Sequence, residues 1–97
     1  MSRTEPRRRT QNVTDADLQR GQIRIPRTAK SILPVEKTRI RIMLGTEVES
    51  VLWDPQTSGT RERSGVIRVG RALLARHVAA GGPREIELGP DDTFLIS

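Results

Sequence analysis

Arg24 and Arg27 flank Pro26, and Arg61 and Arg63 close a polar loop thirty-odd positions later. Forked guanidinium groups held near a stiff proline suit one chemistry above others. They pair bidentately with phosphate oxygens or with the O6/N7 edge of guanine. The stretch Gly21 to Leu33, GQIRIPRTAKSIL, carries the first pair together with Arg20, Thr28 and Lys30. The stretch Gln56 to Ser64 carries the second, with Gln56, Thr57 and Ser64 as polar neighbours. Phosphate contacts supply salt-dependent affinity and side chains at base edges supply specificity. The two clusters therefore fit a groove binder. Arg24, Arg27, Arg61 and Arg63 are the expected base and backbone readers, with Arg20 and Lys30 on phosphates.

The charge distribution points the same way. The chain has a formal charge of +5. Residues 1–30 hold eight Lys/Arg against three acids, and residues 31–97 hold nine against nine, so the whole excess lies in the first third. Only Lys30 and Lys37 are lysine. A genome biased toward arginine codons explains that ratio equally well, but not the placement of the excess.

Catalytic sets are missing. There is no cysteine, and His77 is the only histidine, which disfavours cysteine-ligated zinc, histidine metal sites and nucleophile–histidine triads. Pro90-Asp91-Asp92 supplies half of a restriction-type nuclease motif, but no lysine follows Lys37, so it reads as a turn. Gly81-Gly82 lacks the Gly-Lys-Ser/Thr of a phosphate loop. We expect no cofactor, no metal and no enzyme activity. Apolar runs reach only about four residues against the roughly 20 of a membrane span, and no signal peptide is apparent, so a cytoplasmic location is expected.

These residues need a frame. Residues 1–13 are polar and arginine-rich and read as a flexible basic arm, either lying along phosphates or merely solubilising. Residues 14–97 read as one β-barrel domain. Thr14 to Asp17 is a turn or the start of a helix. Ile23 and Ile25 alternate with Gln22 and Arg24 as a half-buried strand ended by Pro26. Thr28 caps a short helix that Pro34 stops. Ile40, Ile42 and Leu44 alternate with Arg39, Arg41 and Met43, and Gly45-Thr46 turns the chain into a second strand to Trp53. Val48 and Leu52 are expected inward there, with Trp53 closing a barrel end. Arg39 and Arg41 are expected opposite Glu47 and Glu49. Ser64 to Val69 is a strand. Arg71 to Ala80 is a helix with Leu73, Leu74, His77 and Val78 on one apolar stripe, stopped by Gly81-Gly82-Pro83. Two last strands flank Gly89 to Asp92. Six strands and two short helices predict a mainly β fold, an open or pseudo β-barrel.

GQIRIPRTAKSIL followed by a hairpin resembles the Gly-x-Ile-x-Ile-Pro opening of the cradle-loop barrels. One branch comprises dimeric AbrB-like swapped-hairpin regulators and antitoxins. The other is the DNA-binding pseudobarrel of the plant B-three domain and of the recognition domains of restriction enzymes such as EcoRII and BfiI. Trp53-Asp54-Pro55, Arg63-Ser64-Gly65-Val66-Ile67-Arg68-Val69-Gly70 and the helix after them complete a second half, which is similar to the second branch over residues 18–97. That resemblance implies a wrench-like grip on the major groove of double-stranded DNA by two arms, Arg20 to Lys30 and Gln56 to Ser64. It also implies a monomer, and a nuclease or other effector as partner in a restriction or defence system.

Overall fold

Period-two patterning, proline breaks and short turns do produce a barrel. The computed structural model describes residues 7–56 and 64–97. Its strands are β1 (Arg7–Arg9), β2 (Gln22–Ile25), β3 (Thr38–Leu44), β4 (Glu47–Asp54), β5 (Gly65–Arg68), β6 (Glu85–Leu88) and β7 (Thr93–Ile96). They form one seven-stranded sheet in the order β1-β6-β7-β3-β4-β5-β2. Every pairing is antiparallel except β3 with β7, which is parallel. The two ends of this order approach each other where Gln11 N donates to Arg24 O at 3.0 Å, so the barrel is nearly closed. Helices α1 (Asp15–Arg20) and α2 (Arg71–His77) pack together, and 3-10 turns cover Arg27–Ile32 and Pro90–Asp92. Among the described residues no helix is long and apolar enough to cross a membrane.

Residues 7–13, expected as part of a flexible arm, belong to the barrel. Arg7, Arg8 and Arg9 pair with Glu87, Ile86 and Glu85. Thr10 and Val13 are buried, and Val13 bridges to Gly81. Three arginines in a row show no apolar alternation. Their strand form depends on the open edge of β6, whose Glu87 accepts from Arg7 Nε at 2.8 Å.

The β3–β4 hairpin corrects the expected inner face. Its two-residue turn pairs Leu44 with Glu47, Ile40 with Val51 and Thr38 with Trp53. Cross-strand partners share a face, so an inward Ile40 brings Val51 inward and Trp53 follows two residues on. Val51 and Trp53 are buried, whereas Val48 is 47% exposed. The charges also pair differently from expectation. Arg39 donates to Ser50, and Arg41 donates to Thr93 Oγ1 and Asp91 O. Glu47 instead accepts from Arg76 and contacts His77 Nε2 at 2.8 Å. Hydrogen bonds from Arg76 and His77 hold the Glu47 carboxyl at about 2. His77 is thus not a core residue, and α2 ends with it instead of continuing to Ala80.

Two constraints fix the barrel locally. Trp53 is completely buried, and a Cβ at Gly65 would fall inside the van der Waals shell of its ring carbons. At the seam between β1 and β2, Arg24 grips Asp17 through two parallel bonds, Nε to Oδ1 at 2.9 Å and Nη2 to Oδ2 at 3.0 Å. The guanidinium also donates to Gln11 Oε1 and Asn12 O. Asp17 is itself the third residue of a capping box with Thr14 and accepts from Gln22. Burial alone would raise the Asp17 pKa. Bonds from Arg24, the Thr14 amide and Gln22, with the Arg24 charge, outweigh it and hold the group at about 2 against an ordinary 3.8.

Gly65→Ala therefore lowers stability by about 1–3 kcal/mol, the usual cost of overpacking, seen as a lower denaturant midpoint at unchanged slope. Asp17 makes a second prediction. Its depressed pKa contributes stability that is complete above the unfolded value near 4 and is lost as the pH falls toward about 2. That contribution is on the order of 2 kcal/mol. Asp17→Asn lowers stability at pH 7 and flattens the pH 4-to-2 decline. An unchanged acid transition in the variant would remove Asp17 as its source.

Candidate nucleic-acid interface

Strand directions place the roots of both connections at one end of the barrel. β2 and β5 run antiparallel, with Ile25 opposite Gly65 and Gln22 opposite Arg68. β4 ends at Asp54, opposite Val66, and β3 begins at Thr38, opposite Trp53. The connection 26–37 therefore leaves β2 at the end where Asp54 leads out of β4 and Ser64 leads into β5. Helices α1 and α2 adjoin the opposite end, where Gly21 O accepts from both Val69 N and Gly70 N at 2.8 Å. Gly21 has φ 67°, and a side chain there would collide with the backbone of Gly70 and Arg71.

Two hydrogen bonds tie the arms to the barrel and to each other. Trp53 Nε1 donates to Pro34 O at 2.7 Å, fixing the first arm on the largest core side chain. Lys30 Nζ donates to Pro55 O at 2.7 Å, joining the first arm to the root of the second. A third contact, Gln11 Nε2 to Ser64 Oγ at 2.6 Å, holds the far end of the second connection against the β1–β2 seam. Between these ties lies a depression of ≈340 Å³ lined by residues of the first arm, including Arg27, Ser31 and Val35, and by Pro55. Another of ≈470 Å³ lies between Val35 to Lys37 and Asp54 to Gln56.

The expected site residues separate into three groups. Arg27 and Thr28 are exposed on the 3-10 turn of the first arm, and Gln56 is exposed at the start of the second. Gln56 has φ 54°, with its amide held by Asp54 Oδ1 at 2.9 Å. These three share the arm end of the barrel. Arg20 lies at the other end of the barrel, and Arg24, Lys30 and Ser64 are engaged in internal hydrogen bonds. Arg20 ends α1 and is separated from Arg27 by β2, roughly 13 Å of strand at ~3.3 Å per residue. Arg24 is consumed in the Asp17 clasp. Lys30 is only 8% exposed and holds a carbonyl, so it positions the arms. Ser64 is half-buried and its hydroxyl is engaged by Gln11. Thr57, Arg61 and Arg63 lie outside the described residues.

Ser31, Val35 and Lys37 at this end escaped sequence reasoning, whereas Arg8 and Arg9 were read as part of the basic arm. Ser31, Val35 and Lys37 are exposed on the first arm, and Arg8 and Arg9 are exposed on β1, which borders that arm. Lys37 Nζ lies 3.8 Å from Asp54 Oδ2, a loose pair in which Lys37 is exposed and Asp54 half-buried. The signal for Ser31 and Lys37 was their place between Pro26 and β3; Val35 carried none, because an apolar residue reads as core. Among the described residues no three His, Cys, Asp or Glu side chains converge on a possible metal position. The arm end is thus a cationic, hydroxyl-bearing surface on a pinned backbone, suited to holding anionic and hydrogen-bonding partners.

No protein-family model matches the chain, and no curated protein matches it. Among solved structures, an Arabidopsis FUS3–DNA complex aligns with a TM-score of 0.65 at 17% sequence identity, over 90% of this chain and 91% of that one. With seven strands in one nearly closed sheet and short helices at one end, the chain has the pseudobarrel fold of the plant B-three domain.

Proposed function

We propose that this chain is a sequence-specific double-stranded DNA-binding module that inserts its two arms into the major groove. The observation that carries the reading is the emergence of connections 26–37 and 55–64 from the same end of the barrel, with Lys30 Nζ bonded to Pro55 O between them. Residues 26–37 hold Arg27, Lys30 and Lys37 against Glu36, a surplus of positive charge on the arm. The likeness to a chain solved with DNA supports the same reading. Arg27 and Thr28 act on the first arm. Gln56 acts on the second, with Thr57, Arg61 and Arg63 assigned to it on sequence grounds. Arg8 and Arg9 add phosphate contacts beside the first arm.

Any cleavage or regulatory output in a restriction or defence system would come from a partner effector. A swapped-hairpin dimer is disfavoured, because one chain already supplies seven paired strands and needs no borrowed hairpin.

Selection from a random duplex library tests the reading, with binding of the enriched duplex followed against salt. One short motif emerges, and affinity falls as salt rises. Arg27→Ala weakens binding and lowers the slope of log affinity against log salt by about 1 if it holds one phosphate. The double variant Arg61→Ala, Arg63→Ala weakens binding further. Arg20→Ala, at the far end, leaves affinity unchanged. Equal binding to every duplex, or an Arg20 effect as large as that of Arg27, would contradict the proposal.

A further inference from the structure

Val35 is 86% exposed, the most exposed large hydrophobic side chain among the described residues. A single exposed valine is ordinary on a protein surface; its support and position are what distinguish this one. The preceding residues are fixed. Leu33 is buried and its amide donates to Lys30 O, and Pro34 O is held by the Trp53 indole. A β-branched side chain adds little rotational freedom. The chain therefore presents an isopropyl group to solvent from the first arm, on a stiff backbone beside the root of the second connection at Pro55. It borders both depressions at the arm end, beside Pro34 and Pro55 and within reach of the surfaces carrying Arg27, Ser31 and Gln56.

We propose that Val35 is a specificity residue that reads the C5-methyl group of a pyrimidine in the major groove. This rests on the duplex-DNA reading above. The groove floor offers few apolar features, and the C5-methyl is the one an aliphatic side chain can recognise. Arginine, serine and glutamine cannot separate a C5-methyl pyrimidine from its unmethylated counterpart by hydrogen bonding, because the two present the same donors and acceptors. A valine placed among them supplies that discrimination. The methyl is carried by thymine or by 5-methylcytosine.

The enriched duplex is remade with each thymine changed singly to uracil, which removes only the methyl. In a second series each cytosine is changed to 5-methylcytosine. One position in one series changes affinity by about fourfold, the equivalent of one buried methyl group, with the methylated base favoured. A thymine position identifies thymine as the source, and a cytosine position identifies the modified base. Val35→Ala, an exposed site with an unchanged circular dichroism spectrum, abolishes the discrimination at that position and keeps the wild-type salt slope. Full methyl discrimination by Val35→Ala, or none at any position with wild-type protein, would overturn the assignment. Failure to enrich any duplex would instead overturn the DNA reading on which it rests.

Discussion

Trp53 has its entire indole inside the barrel, yet its ring nitrogen needs a hydrogen-bond acceptor there. The acceptor is Pro34 O, a carbonyl of the first arm. Filling the core and setting the exit of the arm are consequently one event. Gly65 is part of the same arrangement, since only its missing side chain lets β5 approach the ring where the second connection re-enters the sheet. Lys30 extends the constraint outward. Its aliphatic stem is covered and its ammonium group is fixed on Pro55 O, so the two connections share a root. Groups anchored in this way lose little freedom on binding, which is how a small barrel can present a surface of defined shape.

Positive charge in this chain does two jobs. Arg24 closes the seam between β1 and β2 through Asp17, Gln11 and Asn12, Arg7 holds β1 to Glu87, and Arg76 ties α2 to Glu47. Arg8, Arg9 and Arg27 are exposed at or beside the arm end. The surplus of the first third of the sequence is thus partly structural, and net charge alone overstates the basic surface that the arms present.

Much of the fold was legible because its cause was local. Ile40, Ile42 and Leu44 declare a strand by alternation, Pro26 ends another, and Pro90-Asp91-Asp92 forms a turn with positive φ at both aspartates. The inward face of β4 was also legible in principle. The two-residue turn at Gly45-Thr46 fixes Ile40 opposite Val51, which puts Val51 and Trp53 inward instead of Val48 and Leu52. The strand form of Arg7 to Arg9 was not legible, since it depends on an edge nearly eighty residues away. Arg24 and Lys30 both have long-range partners that local pattern does not reveal. Alternation marks Arg24 as outward and a short polar helix marks Lys30 as surface, but neither says which distant group meets the side chain. Thr14 to Asp17 read as a turn or the start of a helix, and the bond from Arg24 to Asp17 emerges only once β2 folds back beside α1.

Amide chemical-shift mapping by NMR, with the chain titrated by its enriched duplex, tests the central claim most directly. The account predicts perturbations concentrated at Arg27, Thr28, Ser31, Val35 and Gln56, with Arg20 and the residues of α2 unaffected. Perturbations centred on α1 and α2, or spread evenly around the barrel, would contradict it.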